Sequence, residues 1–180
     1  TSALSAYEEA IGPSSTSPIG NAEFIQAGGS NSIFDTVAIA NASYQLSGGQ
    51  LTAGTITSAG ASFSQTGGSV SLTAGLILAS APGTAIYSIS NGSSLICAGD
   101  AVVGQNGMGF FTQTDSLCNF GTGSLTLAAN AGSFGSYTLS GNSQLYSGNQ
   151  YIGAVGSASF TQSGGTNNLG DLNLGNPSAA

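Results

Sequence analysis

The chain has no lysine, no arginine, no histidine and no tryptophan, and seven Asp and Glu residues give it a net charge of −7 over 180 residues. Each absence removes a class of function. Phosphate recognition needs Lys or Arg, so nucleic-acid binding is excluded. Acid–base and phosphoryl-transfer chemistry that relies on His, Lys or Arg is excluded as well, and so are zinc sites built on His. Anionic membrane surfaces offer no attraction to a chain without cations. No run approaches the roughly 18–20 apolar residues of a membrane helix, so membrane insertion is not expected. The opening Thr1-Ser-Ala-Leu-Ser-Ala6 has neither the basic start nor the apolar core of a secretory signal. That fits a mature secreted chain, and trypsin-like proteases would find no cleavage site in it. An extracellular or cell-surface location is the expectation.

What is present is glycine, 29 residues of it, and 40% hydrophobic residues. So little charge could signal a disordered chain, but the apolar residues are regularly placed. Seven segments recur in order: Phe24-Ile-Gln26-Ala-Gly-Gly-Ser, Tyr44-Gln-Leu46-Ser-Gly-Gly-Gln, Phe63-Ser-Gln65-Thr-Gly-Gly-Ser, Tyr87-Ser-Ile89-Ser-Asn-Gly-Ser, Phe111-Thr-Gln113-Thr-Asp-Ser, Tyr137-Thr-Leu139-Ser-Gly-Asn-Ser and Phe160-Thr-Gln162-Ser-Gly-Gly-Thr. Phe-x-Gln alternates strictly with Tyr-x-Leu or Tyr-x-Ile, so the unit is about 46 residues made of two similar halves.

Each half holds two further apolar stretches. One begins at Leu51, Val70, Leu95, Leu117, Leu145 or Leu169. The other is Val37-Ala-Ile39, Leu76-Ile-Leu78, Ala101-Val-Val103, Leu125-Thr-Leu127, Tyr151-Ile152 or Leu172-Asn-Leu174. All are short and alternate with period two, which is strand rather than helix. Gly-Gly, Asn-Gly and Gly-Asn pairs supply the turns. Three short strands per repeat predict an all-β fold, a right-handed β-solenoid (β-helix) of about seven coils, each about 4.8 Å above the last, in a rod of roughly 34 Å. A larger coil that uses the whole two-half unit is the alternative. Residues 1–23 read as a partial N-terminal coil or assembly segment, 24–168 as the repeats, and 169–180 as a last strand and tail.

The segments Tyr44-Gln-Leu46-Ser-Gly-Gly-Gln-Leu51, Gly156-Ser-Ala-Ser-Phe160-Thr-Gln-Ser-Gly-Gly-Thr-Asn167 and Leu172-Asn-Leu174-Gly175 resemble repeats of bacterial cell-surface proteins. These are the autotransporter-passenger-like β-strand repeat proteins, many of which carry PEP-CTERM sorting tails. The best matches run from Tyr137 to Gln144 and from Tyr151 to Gly175, and the resemblance covers nearly the whole chain from Phe24. It implies a β-helical fold and a surface or matrix role. This sequence departs from that pattern in its small size and in holding neither a translocator barrel nor a sorting tail.

Phe24, Tyr44, Phe63, Tyr87, Phe111, Tyr137 and Phe160 are expected to stack as a structural ladder. Gln26, Gln65, Gln113 and Gln162 are expected to add a second ladder of amides bonded along the stack; an exposed glutamine stripe that holds sugars is the other reading. Cys97 and Cys118 lie 21 residues apart, about one coil, in the second element of consecutive coils. Adjacent coils meet the Cα separation of a disulfide, so a bond between them is expected, and with it an oxidising compartment. Their offsets from the preceding leucines differ by one residue, which would instead turn them to opposite faces.

The acids Glu8, Glu9, Glu23, Asp35, Asp100, Asp115 and Asp171 fall at unrelated phases of the repeat, which suits solvated loops better than a glycosidase pair. No calcium nonapeptide array or EF-hand loop occurs, and no cofactor or metal is expected. Thr55-Ile-Thr57 and Thr112-Gln-Thr114 are isolated pairs, short of the regular Thr array an ice-binding face needs. Asn41-Ala-Ser43 and Asn91-Gly-Ser93 fit the N-glycosylation pattern, which arises readily in such a composition.

At the ends, Ile11-Gly12 followed by Gly20-Asn-Ala-Glu-Phe24 parallels Ile152-Gly153 followed by Gly156-Ser-Ala-Ser-Phe160. The chain therefore opens and closes in a third-strand element. Pro13, Pro18 and Glu8-Glu9 protect the first end, whereas Asn176-Pro-Ser-Ala-Ala180 carries no charge. The expectation is a non-enzymatic structural subunit that partners itself head to tail in an extracellular filament or matrix fibre. A surface adhesin that holds a polysaccharide along one face is the alternative.

Overall fold

A computed structural model describes residues 2–12 and 22–175. Among them every regular element is a strand and every strand pairing is parallel. The chain winds as a β-solenoid with three columns of strands. The first column is the seven-stranded sheet Ala22–Gln26, Ala42–Leu46, Ser62–Gln65, Thr84–Ile89, Met108–Thr114, Phe134–Ser140 and Ser157–Gln162. Consecutive aromatic repeats pair directly, Phe24 with Tyr44 and Tyr137 with Phe160. One repeat is therefore one coil, and the larger coil is ruled out. We number these coils 1 to 7.

The second and third columns form one large sheet. In coil 1 they are Ser30–Ile33 and Thr36–Ala40, and in coil 7 Thr166–Asn168 and Leu172–Leu174. The pattern of three short strands does not hold everywhere. In coils 2 and 3 the second and third elements fuse into the ten-residue strands Gln50–Ala59 and Ser69–Leu78. The pairing between these two slips at Ala53/Thr55, a bulge that bends the strand where the other coils break it.

Ahead of coil 1 lie two more strands, Ala3–Ala6 in the second column and Glu9–Ile11 in the third. They make a coil 0. The structure thus opens one element earlier than the sequence suggests. Ala-Leu-Ser-Ala carries neither aromatic nor β-branched residues, the usual marks of a strand. The protection assigned to Pro13 and Pro18, and the tail Asn176–Ala180, lie outside the described residues.

Alternation decides the core. Thr84–Ile89 reads exposed, buried, exposed, buried, half-buried, buried, and Phe134–Ser140 keeps the same rhythm. Rows of inward residues run along the rod: Leu51, Val70, Leu95, Cys118 and Leu145 in the second column, and Val37, Ile56, Leu76, Ala101 and Leu125 in the third. Each Val, Leu or Ile among them contributes about 1.5–3 kcal/mol by leaving water.

The turn from first to second column shows why Gly-Gly recurs. Gly49 has φ of +84°, and a Cβ there would run into the carbonyl of Gly29 in the coil before. Gly68 stands in the same relation to Gly49. The turns stack as closely as the strands, and only glycine fits both the backbone angle and the space.

Candidate functional site

The predicted aromatic ladder is the spine of the first column. Ring centroids from Phe24 through Phe160 are separated by 4.8, 4.7, 4.6, 4.9, 4.7 and 5.4 Å. From Tyr44 to Tyr137 the rings are within 4–8° of parallel, and each is at most 1% exposed. At the ends the order loosens: Phe24 is tilted 31° from Tyr44, and Phe160 lies 5.4 Å from Tyr137.

The glutamines are arranged otherwise than expected. They occupy one inward row, but Leu46, Ile89 and Leu139 separate them. Their amides therefore never meet. Instead Gln26, Gln65 and Gln113 each accept the hydroxyl of the tyrosine one coil later, whereas Gln162, in the last described coil, only donates to the Gly165 carbonyl at 3.0 Å. Tyr44 Oη donates to Gln26 Oε1 at 2.7 Å, Tyr87 to Gln65 at 2.9 Å and Tyr137 to Gln113 at 2.6 Å. The amide nitrogens close the circuit on backbone carbonyls: Gln65 on Gly68 and Ser94, and Gln113 on Ser116 and Gln144. This explains the alternation in the sequence. A buried hydroxyl must have a partner, and one glutamine on the preceding coil supplies it. Gln26, Gln65 and Gln113 are 6%, 0% and 0% exposed, so no exposed sugar-binding stripe is formed by them. Burial pushes the Tyr87 and Tyr137 hydroxyls well above the usual phenol range, with the nearby Cys118 thiol adding to it.

The expected disulfide is absent, because Cys97 and Cys118 are both free and buried. Cys118 pairs with Leu95, whereas Cys97 sits two positions further along, opposite Leu72. Both point inward, but a two-residue offset across one strand spacing places Cα atoms about 8 Å apart. That exceeds the roughly 7 Å limit for bridging. Alignment on the leucines misleads here, since Leu117 faces outward opposite Ser94 and the cysteine takes the core position. Burial raises the Cys118 thiol far above its usual range, opposed by a hydrogen bond with Tyr137. Burial raises Cys97 too, against a 3.5 Å contact from its Sγ to the Gly99 carbonyl. A thiolate is the reactive form. Neither thiol should react with a disulfide reagent in the folded protein at mildly alkaline pH, and both should react in denaturant. Reductant should leave the melting temperature unchanged. Fast labelling of the native protein, or a fall in Tm on reduction, would contradict this assignment.

The acids work singly. Asp100 Oδ1 accepts the Ser124 amide at 2.8 Å and Asp115 Oδ1 accepts the Asn142 amide at 2.8 Å, each in the following coil. Glu23 accepts from Gln45 and Ser43 on the outer face of coil 2. Among the described residues no three Asp, Glu or Cys gather to hold a metal. Thr112 is not part of an isolated pair: Ser64, Ser88, Thr112, Thr138 and Thr161 lie in register along the outer face of the first column.

The chemistry left open lies in the first and last described coils. In coil 7 the inward-facing Leu172 and Leu174 are 55% and 73% exposed, though their partners Gln150 and Ile152 are buried and half-buried. In coil 0, Leu4 pairs with the buried Asn31 yet is 45% exposed. Near both ends the second column carries an asparagine inside, next to the terminal strand at the start and in it at the close. Asn31 and Asn167 replace the aliphatic row; Asn167 exchanges hydrogen bonds of 2.8 and 3.1 Å with Gln150. Asn31 donates to Glu9 at 2.8 Å and to the Tyr44 hydroxyl at 3.2 Å. Burial raises the Glu9 carboxyl above the usual range, with the Asn31 amide opposing.

No protein-family model, curated protein or solved structure matches this chain.

Proposed function

We propose that the protein is a structural subunit that stacks head to tail in an extracellular filament or matrix fibre. The observation that carries the reading is the make-up of the two outermost described coils. The coil 7 strands Ser157–Gln162, Thr166–Asn168 and Leu172–Leu174 contain no charged residue, no proline and an uncovered apolar interior. Sheet edges in solitary proteins are blunted by charge, proline or a bulge, because an open edge pairs with another chain. Coil 0 offers the counterpart. A second copy set with coil 0 on coil 7 would pair Ala3–Ala6 with Thr166–Asn168 and Glu9–Ile11 with Leu172–Leu174. The columns and the parallel sense then continue from one copy to the next. Such a contact is heterologous and does not close, so it propagates. The absence of Lys and Arg, which denies trypsin-like proteases a target, suits a fibre exposed outside the cell.

Electron microscopy of concentrated protein should show rods that are multiples of one subunit in length. Leu174→Glu places a charge on the last open strand and should give monomers with an unchanged β-sheet spectrum. Monomers only from the unaltered protein, or filaments undiminished in the variant, would defeat the reading.

A further inference from the structure

The outer face of the first column is flat, because the rings just inside it stay within 4–8° of parallel from Tyr44 to Tyr137. Twist normally accumulates across a sheet, and flat sheets are typically held by stacking. Coils 4 to 6 carry an apolar ridge on this face. Ile86 pairs with Phe110, and Met108 with Phe134. Ile86 and Met108 are 41% and 46% exposed, and the half-buried Phe110 and Phe134 rings lie 5.6 Å apart. Beside the ridge runs a shelf of small side chains, with Ser88, Thr112, Thr138 and Thr161 in one row and Thr114 and Ser140 in the next. We infer that a second copy of this chain packs face to face here, the ridge of each copy lying on the shelf of the other.

Charge, shape and area select that occupant. The first-column strands of coils 3 to 7 hold no charged residue. Two copies of a chain with net charge −7 therefore meet here without like charges opposed. A cationic partner finds no acid on the same strands. A neutral sugar would need a flat aromatic platform, and the Phe110 and Phe134 rings are tilted 48° to each other. The large sheet has no comparable ridge, since its exposed Ile96 and Tyr146 are separated by Asn119 in one outward row.

Ridge and shelf lie side by side on one face, so a two-fold axis along the rod sets Phe110 of each copy over Thr112 of the other. Such a contact is isologous, and both rods run the same way. Facing sheets pack about 10 Å apart. Part of the shelf is ready to be covered, because the Thr114 and Ser140 hydroxyls already bond each other at 2.8 Å; burial then leaves neither without a partner. Five strands about 4.8 Å apart and about 20 Å across give roughly 500 Å² on each copy, roughly 1,000 Å² for the pair. A stable pair buries about 1,200–2,000 Å². Lone subunits therefore associate weakly side by side. Stacked subunits add one such face each, so whole rods pair firmly. That second half rests on the head-to-tail reading; the pairing of lone subunits does not.

Sedimentation equilibrium of the Leu174→Glu protein isolates the side-by-side contact from end-to-end stacking. A monomer–dimer equilibrium is expected, with half-association at or below about 1 mM. Met108→Glu puts a charge on the exposed ridge and should weaken pairing at least tenfold with the β-sheet spectrum unchanged. Phe110→Lys and Thr112→Glu should each do the same. An equimolar mixture of those two should pair more tightly than either alone, because their opposite charges face each other across the contact. Monomers only at about 1 mM overturn the proposal. So do dimers that Met108→Glu and Thr112→Glu leave intact, a mixture no tighter than its components, or a face that binds cellohexaose in place of a second copy. In electron micrographs, filaments of the unaltered protein should run in side-by-side pairs, and those of Met108→Glu singly. Dimers from a protein that never forms filaments defeat the head-to-tail reading alone. Single filaments from a protein that forms no dimers defeat this one alone.

Discussion

Gln113→Leu is expected to cost the protein about 2–6 kcal/mol, although the new side chain is apolar, similar in size and entirely buried. The substitution strips the Tyr137 hydroxyl of its 2.6 Å acceptor and removes a 2.9 Å side-chain donor from the Gln144 carbonyl and from the Ser116 carbonyl, which keeps the Gln144 amide at 2.9 Å. The hydroxyl left without its acceptor in a dry stack costs about 1–3 kcal/mol, and each lost side-chain bond to a carbonyl adds about 0.5–1.5 kcal/mol. Tyr137→Phe alone should cost less, since it orphans only Gln113 Oε1. The double variant should recover part of the loss, because leucine and phenylalanine ask nothing of each other. Urea unfolding of the four proteins forms the cycle. A Gln113→Leu variant within 1 kcal/mol of the parent, or a double variant as unstable as the sum of the singles, would show that the hydroxyl–amide circuit is not what holds the alternation.

Phe111→Ala is the second large effect. Phe111 is 1% exposed, with Tyr87 at 4.9 Å on one side and Tyr137 at 4.7 Å on the other. Truncation opens a cavity that flanking coils cannot close, because backbone pairing fixes their separation. Loss of about 3–5 kcal/mol is expected, with the two stacking contacts included in it. Phe24→Ala, at the loose end of the same ladder, should cost less than half as much. Equal losses at the two positions would mean that the rings act as separate apolar side chains and not as a stack.

Much of this fold is legible in the sequence because every coil repeats the same experiment. Seven aromatic residues in like contexts reveal the first column, and period-two apolar stretches reveal the other two. What stays hidden depends on register. The alternation of Phe-x-Gln with Tyr-x-Leu is visible in the string, but its cause, a hydroxyl reaching back one coil, requires knowing that Tyr137 lies over Phe111. Cys97 and Cys118 differ from the expectation for the same reason: a one-residue slip between Leu95 and Leu117 moves every later partner. Thr112 reads as half of an isolated pair until stacking sets it beside Thr138.

The hydroxyl–amide circuit also limits how such a rod can change length. Excising a single coil, residues 62–83, would bring Tyr44 beneath Tyr87 and remove Gln65, the acceptor of the Tyr87 hydroxyl. Excising two, residues 62–107, would instead bring Phe111 onto Tyr44 and leave each remaining tyrosine with its glutamine. Insertions obey the same rule. Duplication and loss of coils in a chain of this kind should therefore survive in pairs, so the heritable unit is twice the structural one.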